Sequence, residues 1–88
     1  MMEFEFDPAK SAANSAKHGI SFDDAAALFD DERLLVVPAR TMDEERFLAI
    51  GLLGGRHWSA IFTRRQRRIR LISVRRARDE EINAYESP

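Results

Sequence analysis

Nine arginines (Arg56, Arg64, Arg65, Arg67, Arg68, Arg70, Arg75, Arg76 and Arg78) fall between Ala49 and Arg78, a stretch with no lysine and no carboxylate. The arginine fork pairs bidentately with phosphate or carboxylate and keeps its charge near neutral pH. The stretch therefore offers a surface for a polyanion or an acidic partner. The remainder is acidic: residues 1–48 hold eleven acids against five bases, and residues 79–88 hold four acids and no base, so the 88 residues carry a net charge of −1.

A few other side chains could move protons. Lys17 and His18 are adjacent; histidine can give or take a proton near neutrality, but both also suit the carbonyl end of a helix, whose dipole favours cations. Glu45 and Arg46 could act as general base and phosphate clamp, or form a plain surface ion pair worth under about 1 kcal/mol. Adjacency on a strand puts them on opposite faces. Tyr85, the only tyrosine, reads either as a ring docked on a sheet or as a general acid. His57 beside Trp58 reads better as a rim aromatic pair than as a catalyst. Nothing points to a metal or other cofactor: there is no cysteine, the two histidines are thirty-nine positions apart, and the carboxylates lack the spacings of zinc or calcium sites.

The elements that must position these groups follow from periodicity. Met2 to Phe6 alternates apolar and acidic residues, as a half-buried strand does. Asp7-Pro8 starts a helix in which Ala9, Ala12, Ala13 and Ala16 form a narrow apolar stripe, and Gly19 ends it as a left-handed cap. Ser21 to Asp24 resembles a capping box, and Phe22, Ala25, Ala26 and Phe29 continue a second amphipathic helix. Arg33 to Val37 reads as a strand stopped by Pro38, and residues 39–44 as a polar loop. Arg46 to Leu53 and His57 to Thr63 form a hairpin about Gly54-Gly55, and Arg67 to Arg75 follows a turn near Arg65-Gln66. Strict alternation puts Ile69, Leu71, Ser73 and Arg75 on one face of that strand, and Arg68, Arg70, Ile72, Val74 and Arg76 on the other. Asp79 to Glu86 closes as a short helix.

The expected fold is thus a single α+β domain over residues 1–88, in the order β-α-α-β-β-β-β-α, with a mostly antiparallel sheet and its helices on one face. A chain this short buries only about 60% of its unfolded surface, so stabilisation by a partner is expected. No apolar run approaches the roughly 20 residues of a membrane span, and the acidic N-terminus is no leader. A cytoplasmic location without membrane contact is expected.

Several motifs in order resemble the BrnT family of bacterial toxins: E-F-D-P-x-K near the start, K-H-G-I-S-F at 17–22, E-E-R-F from Glu44 with a later glycine, and I-R-L-I-S-V-R-R-A-R with a following E and Y-E from Ile69. The resemblance spans nearly the whole chain. It departs at Phe6, where tryptophan is frequent, and at Arg65-Gln66-Arg67, where a glycine turn is usual. It implies a RelE-like fold, inhibition of translation by metal-independent RNA cleavage, and neutralisation by a BrnA-type antitoxin from the same operon, with operator DNA bound only through that complex. A homodimer within the complex is left open.

The resemblance also places Arg64 and Arg75 in an active site, where as neighbouring strand ends they would converge on one phosphate; without it, both read as exposed arginines blunting a sheet edge. Cutting RNA without metal needs a base for the 2′-hydroxyl, cations for the phosphorane and an acid for the 5′-oxygen. Lys17, His18, Glu45 and Tyr85 are the candidates beside those arginines, and Arg46, Arg65, Arg68, Arg70 and Arg76 are expected to hold the RNA backbone. The alternative is a non-catalytic module whose arginine face docks an acidic antitoxin in an autoregulatory complex. A stand-alone nucleic-acid binder ranks last, since the arginine-rich strand lacks a stacking platform.

Overall fold

The computed structural model describes residues 2–39 and 44–87. Strand β1 (Glu3–Glu5) leads into helix α1 (Pro8–His18) and short helix α2 (Phe22–Ala25), which tightens into a 3₁₀ turn (Ala26–Asp30). Strands β2 (Leu35–Ala39), β3 (Arg46–Leu53), β4 (Arg56–Arg65) and β5 (Arg68–Arg76) follow, and α3 (Asp79–Glu86) closes the chain. The sheet runs β1-β5-β4-β3-β2, antiparallel throughout except for parallel β1–β5. Most of the polar loop expected at 39–44 lies outside the described residues.

Helix α1 starts as its sequence requires: the Asp7 side chain accepts from the Ala9 amide at 2.8 Å, and Gly19 ends it at φ 78°. Its buried face is polar, not alanine. Ser11 and Asn14 face inward, while Ala9, Ala12, Ala13 and Ala16 are exposed. The Asn14 amide donates to the Ile20 and Val74 carbonyls at 2.8 and 2.9 Å and accepts from the Val74 amide at 3.2 Å. The Ser11 hydroxyl accepts from the Phe22 amide at 2.9 Å. Main-chain groups that an alanine face would leave unpaired are satisfied this way, at a net value of about 1 kcal/mol per bond. Ser21 caps α2 through the Asp24 amide at 3.1 Å.

The core lies between α1, α2, the 3₁₀ turn and one sheet face, around Phe22, Leu28, Phe62 and Val74. Phe29 ties the turn to the sheet, packing edge-on against Phe4 and Phe62 at 5.2 Å each. Gly51 is required here, because a Cβ would stand 2.8 Å from Leu34 Cδ1 and 3.0 Å from Leu28 Cδ1.

Three sheet features differ from expectation. Pro38 lies inside β2 rather than ending it, which an edge strand tolerates because an outward amide needs no partner. The β4–β5 register slips between Ile61 and Phe62, leaving Ile72 as the extra residue of a bulge. A bulge resets the alternation, so Ile69, Leu71 and Val74 all reach the core, and Arg75 joins Arg68 and Arg70 on the opposite face. Finally, the helices do not share one face. Ala60 and Val74 face the core, but their neighbours Ser59 and Arg75 point the other way and bond α3 through Glu81. α3 therefore covers the far side of the sheet.

Candidate functional site

Arg75 is committed within the protein. It gives Glu81 two bonds, of 2.8 and 2.9 Å, and the same carboxylate accepts from the Ser59 hydroxyl at 2.9 Å and the Arg78 amide at 2.8 Å. Arg75 foremost, with these other donors, holds the Glu81 carboxyl down to about 2 despite its burial. The bond to Glu81 in turn raises the Arg75 pKa.

The same side of α3 carries Tyr85, which is 7% exposed and donates to Asp31 at 2.6 Å. Burial works against the Asp31 charge, but bonds from Tyr85 and the Leu52 and Arg33 amides, with the Arg33 charge, outweigh it and lower its pKa. The bond to Asp31 and burial raise that of Tyr85. His57 completes the cluster, its Nε2 2.6 Å from Glu86 and its ring edge-on to Tyr85 at 5.4 Å.

Arg64 lies elsewhere. Arg75 pairs with Ser59, five residues back along β4 from Arg64, a separation of roughly 16 Å at strand rise, and the two point to opposite faces. They do not converge on one phosphate. Antiparallel pairing explains this: the C-terminal ends of adjacent antiparallel strands lie at opposite ends of the ladder.

At the Arg64 end the β4–β5 hairpin forms an open cleft of about 350 Å³, with Met2 and Ile69 as apolar lining and Arg64, Gln66, Arg67 and Arg68 around them. The Arg64 guanidinium lies over the Phe47 ring at 5.2 Å, and Arg68 pairs with Glu3 at 3.2 Å. Arg64 and Arg67 make no ion pair among the described residues. Gln66 holds the turn at φ 57°, the one non-glycine residue at positive φ among those described. Thr63 Oγ1 donates to the Glu45 carbonyl at 2.6 Å. Continuing the β3–β4 register from Phe47↔Phe62 sets Glu45 opposite Arg64 on the same face, its carboxylate unpaired among the described residues.

The structure thus brings Glu45, Arg64 and Arg68 to one end of the sheet, and Arg75 and Tyr85 to the other. Lys17 and His18 come one turn after Asn14, which is bonded to Val74, and Val74 pairs with Ala60, four residues back along β4 from Arg64. No hydrogen bond joins them to another candidate among the described residues. Arg65 is exposed at the hairpin tip, Arg70 meets Glu5 at 3.4 Å, Arg46 meets Glu44 at 3.6 Å, and Arg76 covers Trp58 at 5.6 Å. The described residues form no cluster of three or more His, Cys, Asp or Glu able to hold a metal ion, and no helix among them is long and apolar enough to cross a membrane.

Sequence reasoning missed Arg67 as a cleft residue, although it lies in the arginine run. It also missed Glu81, which accepts from the Arg78 amide at the start of α3; with arginine in place of Ser, Thr, Asp or Asn at the cap, the usual capping signature is not there to be read.

A family model described as the ribonuclease toxin, BrnT, of type II toxin-antitoxin systems matches residues 6–81. The match extends from the end of β1 into α3, and the chain belongs to this family of ribonuclease toxins, whose class implies an RNA target and an antitoxin partner. A search of curated proteins returns no match.

Proposed function

We propose that the protein is a metal-independent endoribonuclease that inhibits translation, and that its RNA-contacting site is the cleft at the β4–β5 hairpin. The observation that carries this reading is the convergence of Arg64, Arg67 and Arg68 on an open, apolar-floored cleft, two of them free of carboxylates among the described residues, in a chain of the ribonuclease toxin family. Guanidinium groups with no internal acceptor are left available to pair with phosphate. Met2 and Ile69 give a base an apolar surface to lie on.

In this reading Glu45 takes the 2′-hydroxyl proton. The 2′-oxygen then attacks phosphorus, Arg64 and Arg67 stabilise the phosphorane charge, and the P–O5′ bond breaks with the 5′-oxygen protonated from solvent. Arg68 holds the flanking backbone. Arg75 and Tyr85 fix α3 rather than touch substrate, and Lys17 and His18 end α1. The element order and mostly antiparallel sheet support a RelE-like scaffold, and a BrnA-type antitoxin is the expected neutralising partner, with operator DNA bound through their complex.

The test is cleavage of labelled RNA by refolded chain in EDTA, with the new ends identified. Cutting that leaves 2′,3′-cyclic phosphate supports the reading. Intact RNA favours the non-catalytic docking module, and cutting that requires added metal rejects the mechanism.

A further inference from the structure

Among the described residues the far sheet face is only half covered. α3 runs across the strands, with Glu81 at Arg75 of β5 and Tyr85 at Asp31, which also holds the Leu52 amide of β3. It shields the cross-strand row Leu35–Ile50–Ser59–Arg75, in which Ile50 is 2% exposed. The next row, Val37–Leu48–Ile61–Ser73, has the same register, yet all four residues remain partly exposed. Same-face rows lie about 7 Å apart, and helices pack at 8–10 Å, so there is room for one more helix beside α3. Crossing four strands takes about 10 helical residues.

The charge around that row defines the occupant. On the side away from α3 stand Arg46, Arg65 and Arg70; Arg46 Nε is shut off from solvent with no hydrogen-bond acceptor among the described residues, the Glu44 carboxylate standing 3.6 Å away, beyond hydrogen-bond reach. Among the described residues, Arg70 is held by Glu5 at 3.4 Å. An aliphatic row offers nucleobases no aromatic stacking but suits an apolar helix stripe, and a second copy of the chain would set arginines against arginines across a two-fold axis.

We propose that this row docks an amphipathic helix of the antitoxin, its apolar stripe on Val37, Leu48 and Ile61 and its acidic flank against Arg46, Arg65 and Arg70. The assignment rests on the toxin reading and places the antitoxin on the sheet face opposite the core-side residues Arg64 and Ile69 of the RNA cleft.

The test is calorimetric titration of the full chain with the operon-encoded antitoxin, with hydrogen exchange mapping the footprint. Expected are protection of Val37, Leu48 and Ile61, about 100-fold weaker binding by Leu48→Glu, and about tenfold weaker binding by Arg65→Glu that fades at high salt. Arg56→Glu, at the opposite end of β4, changes binding by less than about twofold. Should Leu48→Glu not fold, the footprint and the exposed Arg65→Glu variant decide. A footprint confined to the hairpin cleft, a free chain already dimeric through this row, RNA protecting these amides, or no complex at all each overturns the proposal. RNA cleavage by the free chain, measured separately, tells whether the ribonuclease reading survives.

Discussion

Arg75 and Glu81 face each other across the far side of the sheet with two bonds of 2.8 and 2.9 Å, and they belong to the architecture. Removing one member of a partly buried pair leaves a charge without its counterpart, which costs about 3–5 kcal/mol when burial is full and less here. Arg75→Ala is therefore expected to lower stability by about 2–3 kcal/mol. In urea unfolding, the double variant Arg75→Ala/Glu81→Ala should lose clearly less than the sum of the single losses. Strict additivity would show the pair to be uncoupled. Loss of toxicity in Arg75→Ala alone then reports on folding and says nothing of chemistry.

The same carboxylate is expected to contribute to the loss of stability in acid. Its folded pKa of about 2 lies below the ordinary glutamate value of 4.5, so its contribution is full above about pH 4.5 and is lost as pH falls toward 2. That contribution is about 3 kcal/mol. Glu81→Gln should flatten the fall in stability across this window. An unchanged acid limb would assign it to other carboxylates.

Asn14 replaces side-chain packing with three hydrogen bonds to the main chain. Asn14→Leu, which supplies the apolar surface a helix face normally shows, is expected to destabilise by about 2–4 kcal/mol, since it strands two carbonyls and an amide. Thermal unfolding checks this, and a stabilised variant would refute the account of the buried helix face.

Gln66 occupies a conformation that favours glycine, with φ 57°. Relieving it through Gln66→Gly should stabilise the protein by about 1 kcal/mol. A lowered melting temperature would mean that the Gln66 side chain contributes more than its backbone costs.

Much of the fold is legible because its signals are local. Asp7-Pro8, Gly19, Ser21 and Gly54-Gly55 each fix a cap or turn through one residue's own stereochemistry, and the structure has all four as the sequence implies. The errors are non-local. No property of residues 69–76 announces the bulge at Ile72, which arises from fitting β5 against β4 and moves Arg75 to the other face. Alanines at helical spacing imitate a core face, while Asn14 and Ser11 are drawn inward by partners 60 and 11 residues away. Arginines adjacent in sequence are sorted by partners that only the fold supplies: Arg68 and Arg70 find β1 glutamates and Arg75 finds α3, while Arg64 and Arg67 are among those without a carboxylate among the described residues.

The most direct measurement is the cleavage rate of a labelled single-stranded RNA by wild type, Arg64→Ala, Arg67→Ala and Glu45→Gln, each with its melting temperature. The account predicts losses of about 100-fold or more for Arg64→Ala and Glu45→Gln. It also predicts binding that weakens less steeply with salt for Arg67→Ala, by about 0.7 in the slope of log K against log salt, with melting temperatures nearly unchanged. Wild-type rates in all three variants would contradict the hairpin cleft as the site of RNA cleavage.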